Sequence, residues 1–203
     1  MLFLLFGSSC SGKTTALAEL RRRALPRLAV HDFDEIGVPP GATTGWRHGA
    51  NEQWVQRALE YEADGTDTLL AGQTPYGELL AAPSAAKLEA VAACLLDCDD
   101  EERVARMEAR GPEWLARSGG TIDDFLAWAA WMRRHAEDPS WRQDVIRRPE
   151  SEGELEWSRW TDRRRGDPQW RVAVVDTSAR SVAEVADDLA AWIEAARSTV
   201  RSA

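Results

Sequence analysis

Residues 7–14 read Gly7-Ser8-Ser9-Cys10-Ser11-Gly12-Lys13-Thr14, two glycines bracketing four small residues and followed at once by a lysine and a threonine. No other stretch of the chain restricts the fold as tightly. Such a loop carries meaning only between a strand and a helix, and both flanks are present. The apolar run Met1-Leu2-Phe3-Leu4-Leu5-Phe6 is too short for a signal h-region and reads as a buried strand. Thr14 to Leu25 follows as a helical stretch. In that setting the glycines let the backbone wrap closely around phosphates, while successive N–H groups and the helix N-terminus present partial positive charge. Gly7, Ser8, Ser9, Cys10, Ser11, Gly12, Lys13, Thr14 and Thr15 are therefore expected to hold a nucleoside triphosphate, ATP, with Mg²⁺. Lys13 reaches the β- and γ-phosphates, the Thr14 hydroxyl ligates the metal, and Cys10 contributes its backbone.

The rest of the chain must supply the sheet on which this loop sits. Its 203 residues favour a single domain spanning 1–203, and 44% hydrophobic with 29% charged residues is a globular composition. The net charge of −9 repels a polyanion unless a local basic patch overcomes it, which favours a small substrate over nucleic acid. Cys10, Cys94 and Cys98 fall in no metal-binding spacing; the last two read as small buried hydrophobes, in keeping with a reducing cytoplasm. No segment approaches the roughly 18 uninterrupted apolar residues of a membrane span, so a soluble, cytoplasmic protein without a membrane partner is expected.

Short apolar runs at Leu2 to Phe6, Leu28 to Phe33, Thr68 to Ala71, Val91 to Leu96 and Val172 to Val175 are candidate strands. Helical stretches at Thr14 to Leu25, Asn51 to Ala63, Asp100 to Arg110 and Val182 to Arg197 lie among them, the alternation of an α/β fold with a parallel sheet. The long stretch between the fourth and fifth candidates marks an insertion, about 111–170. Its helix Ile122 to Ala136 carries Phe125, Trp128, Trp131 and Met132 at helical spacing, and Trp141, Trp157, Trp160 and Trp170 follow among charges. A stripe of this kind reads as core before ligand platform. Ser181 and Glu184 form a capping box for the last helix, which is expected to pack Val182, Val185, Leu189 and Ile193 on the sheet.

Triphosphate chemistry also requires a carboxylate, to hold the metal's water shell or to take a proton from an acceptor. The third candidate strand ends Ala71-Gly72-Gln73-Thr74 without an acid, which argues against a hydrolytic motor ATPase. The second ends His31-Asp32-Phe33-Asp34, and in open α/β sheets ligands bind beyond the carboxyl ends of the strands. Asp34 is expected to bind and deprotonate the acceptor and Asp32 to stand in the Mg²⁺ shell, the two roles being exchangeable; capping of the next turn is the alternative for both.

The loop Gly7 to Thr14, Asp32-Phe33-Asp34, the turn at Gly72, the run Glu102 to Gly111 and Asp176-Thr177-Ser178 span most of the chain. Together they resemble the small P-loop kinases, the group of shikimate, gluconate, nucleoside and nucleotide kinases and chloramphenicol phosphotransferase. The resemblance implies a P-loop NTPase fold with a five-stranded parallel sheet, order 2-3-1-4-5, flanked by helices, and a lid, here the helical, tryptophan-rich insertion. It implies that Asp176 and Thr177 lie near the adenine. It makes Arg106 and Arg110 candidates for neutralising the transferred phosphoryl group, with helix-surface pairing to Glu102 or Glu108 as the alternative. Arg133 and Arg134 are further candidates for that work. Tyr76 stands where nucleoside monophosphate kinases carry an arginine, which disfavours monophosphate acceptors.

These readings converge on an ATP-dependent kinase acting on a hydroxyl of a small molecule, its acceptor pocket drawn from Gly37 to Trp54, with Trp46, Arg47 and Trp54 as candidate lining, and from the insertion. A polynucleotide 5′-hydroxyl kinase would need Arg21 to Arg23, Arg147-Arg148 and Arg163 to Arg165 to form a basic channel. A nucleotide-dependent switch without kinase activity is the third reading.

Overall fold

The first strand, β1 (Leu2–Phe6), is buried at every position, a pattern that the centre of a parallel sheet covered on both faces accommodates. The computed structural model describes residues 1–147 and 155–201. After β1 come α1 (Lys13–Arg23), β2 (Leu28–Asp32), a 3₁₀ turn at Phe33–Ile36, α2 (Thr44–Ala63), β3 (Asp67–Gly72) and α3 (Tyr76–Leu80). They are followed by β4 (Val91–Asp97), α4 (Asp100–Arg110), α5 (Pro112–Ser118), α6 (Ile122–Glu137), α7 (Ser158–Thr161), β5 (Val172–Asp176) and α8 (Val182–Arg201). The described residues form one five-stranded sheet in the order β2-β3-β1-β4-β5, parallel throughout. None of their helices is long and apolar enough to cross a membrane.

Alternation along β1 divides the core. Leu2, Leu4 and Phe6 point into a cluster with Trp54 of α2 and with Trp131, Met132, Trp157, Trp160 and Trp170. Phe3 and Leu5 point the other way, onto Leu17 and Leu20 of α1 and Leu189 and Ile193 of α8. The insertion therefore contributes to the core, though unevenly: α6 buries Trp131, Met132 and His135, whereas α5 buries none of its residues. Trp141 is the exception among the tryptophans of the second stretch, being 45% exposed.

Two boundaries depart from expectation. The second helix begins at Thr44, well before Asn51, because Thr43 caps it by accepting from the Trp46 N–H at 3.2 Å; Gly45 and Gly49 disguise this first stretch in the sequence. At the chain's end the Ser181–Glu184 capping box forms, and Val185, Leu189 and Ile193 are buried, but Val182 is 43% exposed. As the first residue of α8 it lines the smaller of the two hollows described below and does not reach the sheet.

The register places the site. Phe6 pairs with Gly72 and Leu95, Asp32 with Ala71, and Asp97 with Asp176, so all five strands release their chains on one edge. Around the tryptophan cluster the packing leaves no room at Gly77, where a Cβ would overlap the Trp160 ring. There the Gly77 N–H donates to Nε2 of fully buried His135 at 3.1 Å. That contact leaves the proton on Nδ1, and burial holds the His135 pKa down at about 3 against an ordinary 6.5. The unfolded chain takes up a proton that the folded chain refuses, so this contribution is present above pH 6.5 and is lost as the pH falls toward 3. Denaturant unfolding is expected to show a loss of about 2 kcal/mol between pH 7 and pH 5. Equal slopes for wild type and His135→Gln would refute the assignment.

Candidate functional site

The glycine loop emerges between β1 and α1 and curls through two left-handed residues, Cys10 (φ 63°) and Gly12 (φ 92°). A side chain at Gly7 would run into the Leu96 carbonyl. Lys13 folds back over the loop and donates to the Gly7 and Ser8 carbonyls, both at 2.8 Å, and to Ser11 Oγ at 3.2 Å. Burial, with the Arg103 cation close by, brings its ammonium down to about 8 from an ordinary 10.5. Ser8, nearly sealed from solvent, donates its hydroxyl to the Phe125 carbonyl of α6 at 3.0 Å and so ties the loop to the insertion.

Beneath the loop lies a cation that sequence reasoning passed over. The Arg103 side chain, from α4, has zero exposure; it donates to the Ser9 carbonyl at 2.5 Å and to Asp97 at the end of β4. Asp97 also accepts from Arg133 of α6, which reaches the Cys98 carbonyl and Asp100 at 2.8 and 2.7 Å. One signal was available: Arg103 and Met107 are the buried residues of α4, four apart on one face.

A cleft of about 640 Å³ opens over the loop, lined by Ser9, Cys10, Gly12, Lys13, Thr14 and Thr15 on one side and by Asp32 and Asp34 from the end of β2. Thus the expected carboxylates do meet the phosphate loop. Their environments differ. Asp32 is the N-cap of the 3₁₀ turn, accepting from the Asp34 N–H at 3.1 Å, so the capping reading holds for one of its oxygens. The Asp34 carboxylate opens on the cleft with no hydrogen-bond partner among the described residues; desolvation by the cleft walls and the neighbouring Asp32 charge raise its pKa. Trp46 and Arg47 of α2 line the cleft as expected. Trp54 does not: it is buried and donates Nε1–H to the Phe33 carbonyl at 3.0 Å, fixing the turn that presents Asp34.

A second hollow, about 370 Å³, is continuous with the loop through Cys10, Gly12 and Thr15 and includes Arg106, Arg110, Thr177 and Val182. Thr177 donates to the Ser11 carbonyl at 3.2 Å. Asp176, beside it, turns away to accept from the Ser178 N–H and hydroxyl and does not line the hollow. Arg106 is fully engaged: it pairs with Glu102 at 2.9 Å and donates to the Cys10 and Thr177 carbonyls at 3.2 and 2.8 Å. Arg110 lies at the junction of hollow and cleft, its guanidinium 4.9 Å over the Trp114 ring. Arg133 is committed to Asp97 and Asp100, and Arg134 pairs with Glu137 at 3.8 Å, so neither faces the phosphate loop.

Oxygen donors for a hard cation are in place. The exposed Thr14 hydroxyl has no protein partner among the described residues and faces the same cleft as Asp32. Those residues contain no cluster of three or more His, Cys, Asp or Glu able to cage a metal. This donor set suits Mg²⁺, which keeps its water and phosphate ligands and takes one or two from protein.

The clusters weighed for a nucleic-acid channel are occupied locally. Arg21 donates to the Val30 carbonyl and to Glu35, Arg22 and Arg23 pair with Glu19, and Arg163 and Arg164 bond carbonyls of their own turn. Arg148 lies outside the described residues.

The Lys13 environment has a measurable consequence. A bound polyanion favours the charged ammonium, so binding draws in a proton wherever free Lys13 is partly neutral. ATP affinity is expected to be flat below pH 8 and to fall by up to about tenfold per pH unit above it. Calorimetric titration across pH 7–9.5, in buffers of differing ionisation enthalpy, reads both affinity and proton uptake; a flat profile with no uptake would refute it.

No family model and no curated protein matches the sequence. Solved structures do match the fold. A sugar kinase from Janibacter sp. HTCC2649 is similar at a TM-score of 0.55 and 15% identity, covering 95% of this chain and 94% of its own. The protein APE1195 gives 0.57 and 17% over 96% and 95%, and an uncharacterized protein from Eubacterium ventriosum ATCC 27560 gives 0.50 and 10% over 96% and 98%. At such identities the likeness is one of fold: a five-stranded parallel sheet in the order β2-β3-β1-β4-β5, flanked by helices.

Proposed function

We propose that this chain is a Mg²⁺-dependent phosphotransferase that moves the γ-phosphoryl group of ATP to a hydroxyl group of a small molecule. The observation that carries the reading is the Asp34 carboxylate, without a hydrogen-bond partner among the described residues, raised in pKa and sharing one cleft with the phosphate loop. A carboxylate whose only task was to cap a turn would accept a backbone N–H, as Asp32 does. That one of the structures sharing the fold is a sugar kinase is in keeping with a hydroxylated acceptor.

In this reading the acceptor oxygen attacks the γ-phosphorus, the new P–O bond forms as the bond to the ADP oxygen breaks, and Asp34 takes the hydroxyl proton. Lys13 leaves its carbonyl partners in the loop for the phosphate oxygens. Mg²⁺, held by the Thr14 hydroxyl and through its water shell by Asp32, supplies charge neutralisation. Arg110, at the junction of the two hollows, adds charge beside the triphosphate, whereas Arg106 steadies the nucleoside side through Thr177. Of the insertion, α5 is the part suited to close over the nucleotide, lying between Gly111 and Gly119, both of positive φ, with no residue buried. The polynucleotide reading loses its basis where the arginines it needs are paired to neighbouring acids and carbonyls.

Asp34→Asn is expected to lower phosphoryl transfer about 10²–10⁴-fold without weakening ATP binding. Transfer of labelled phosphate to a library of hydroxylated compounds, with nucleotide binding followed in parallel, checks this. Undiminished turnover in the variant, or no labelled acceptor for the wild type, would sink the proposal.

A further inference from the structure

The acceptor side of the cleft carries information about charge and shape, and the following rests on the kinase reading just given. Arg47 is the arginine that α2 contributes there, and it is not a free cation. Its Nε and Nη2 donate to the two oxygens of Glu78 at 2.7 and 2.8 Å. The Glu78 side chain has zero exposure, and Asn51 adds a further donor to it at 3.0 Å. A paired Arg–Glu unit is net neutral, yet Nη1 of Arg47 keeps hydrogens with no partner among the described residues, on a guanidinium that lines the cleft. The other charges on that side are Asp32 and Asp34, which face Lys13.

Two further features face the same space. Thr74 is a lining residue, 1% exposed, and its buried hydroxyl has no hydrogen-bond partner among the described residues. A buried hydroxyl left unpaired costs stability, so its position among lining residues points to a ligand group. The apolar lining is aromatic: Phe33 and Trp46 meet edge to face at 6.2 Å, and Trp114 and Phe125 lie 5.7 Å apart beside Trp128. Flat apolar rings with a few hydrogen-bonding groups between them suit a ligand that has a flat face and polar edges. Tyr76, where a phosphate-gripping arginine would have stood, is buried against Trp170 at 4.6 Å and does not line the cleft.

We infer that the acceptor is a hydroxylated ring compound carrying no anionic group, stacked on the Trp46 side of the cleft and hydrogen-bonded by the Thr74 hydroxyl and Arg47 Nη1. A carboxylate or phosphate on the acceptor would meet Asp32, Asp34 and the triphosphate, while Arg47 is already neutralised by Glu78 and Lys13 and Arg110 serve the triphosphate. Sugar acids, sugar phosphates and nucleoside monophosphates are thereby excluded.

The test is a panel of matched compounds: neutral methyl pyranosides and nucleosides, the corresponding uronates, and the corresponding monophosphates. Each is assayed for ADP release with Mg²⁺ and ATP, and for binding by tryptophan fluorescence with a non-hydrolysable ATP analogue. The expected result is turnover and binding among the neutral members, with the anionic counterparts weaker by about 100-fold or more. Thr74→Val should raise the acceptor KM about tenfold, leave the ATP KM unchanged and unfold no more easily than wild type, because the hydroxyl it removes has no internal partner. Trp46→Ala should weaken binding of the ring and lose its fluorescence response. Binding of anionic members as tight as that of neutral ones, or no binding by any neutral member, overturns the inference. Neutral rings that bind without phosphoryl transfer would leave the inference standing and overturn the kinase reading instead.

Discussion

The phosphate loop keeps its shape because a cation is buried beneath it. A loop that turns through left-handed residues at Cys10 and Gly12 leaves carbonyls facing inward, and buried carbonyls need donors. Arg103 donates to one of them, at Ser9, and Asp97 balances its charge from the end of the neighbouring strand. Desolvation makes such a pair a poor source of net stability, but removing either partner strands a buried charge at a cost of about 3–5 kcal/mol. The geometry of the loop is therefore fixed by something whose loss the fold does not tolerate. The same cation lies near Lys13 and, after burial itself, is the main influence lowering its pKa.

From Asp97 the network runs outward to Arg133 and hence to α6, and Ser8 reaches the same helix through the Phe125 carbonyl. Two polar ties and the burial of Trp131, Met132 and His135 make α6 a fixed wall of the cleft. The connection Gly111 to Gly119 has neither kind of anchor along α5. A segment with few buried contacts opens at low cost, so the described part of the insertion divides into a fixed wall of the cleft, α6, and a loosely anchored helix, α5.

How much of this the sequence disclosed follows from the kind of signal each feature leaves. Five apolar runs, a glycine loop at the end of the first and the alternation with helices determine the sheet, and its order follows from the resemblance the loop and Asp32-Phe33-Asp34 provoke. Asp34 was legible because a strand end beside a phosphate loop is a place where ligands bind. What stayed hidden depends on pairing at a distance. Arg47 with Glu78 and Arg133 with Asp97 join elements far apart in the chain, and no spacing rule connects them. Arg106 and Arg110, one helical turn apart, look equivalent in sequence; only the fold separates them, since Arg106 is drawn to the Cys10 and Thr177 carbonyls while Arg110 stacks on Trp114. Trp54 and Trp46 likewise share a helix but face opposite duties, one pinning the turn and the other lining the cleft.

The pairing of Arg47 also bears on the chemistry of Asp34. An opposite charge within about 4–6 Å lowers a carboxylate's pKa by roughly 1–3 units, and a weaker base removes a hydroxyl proton less readily. Arg47 released from Glu78 would bring a further unpaired cation into the cleft that Asp32 and Asp34 line. Glu78, its side chain at zero exposure, keeps that charge paired through two parallel hydrogen bonds, an arrangement that a flexible lysine would not reproduce. The Asp34 carboxylate is then left facing Lys13 as its principal cation, and that cation is the one a bound triphosphate would claim. In the proposed kinase, nucleotide binding and the basicity of Asp34 would thereby be coupled: the more completely the phosphates engaged Lys13, the less its charge would stabilise the carboxylate, and the stronger a base Asp34 would be with the donor in place.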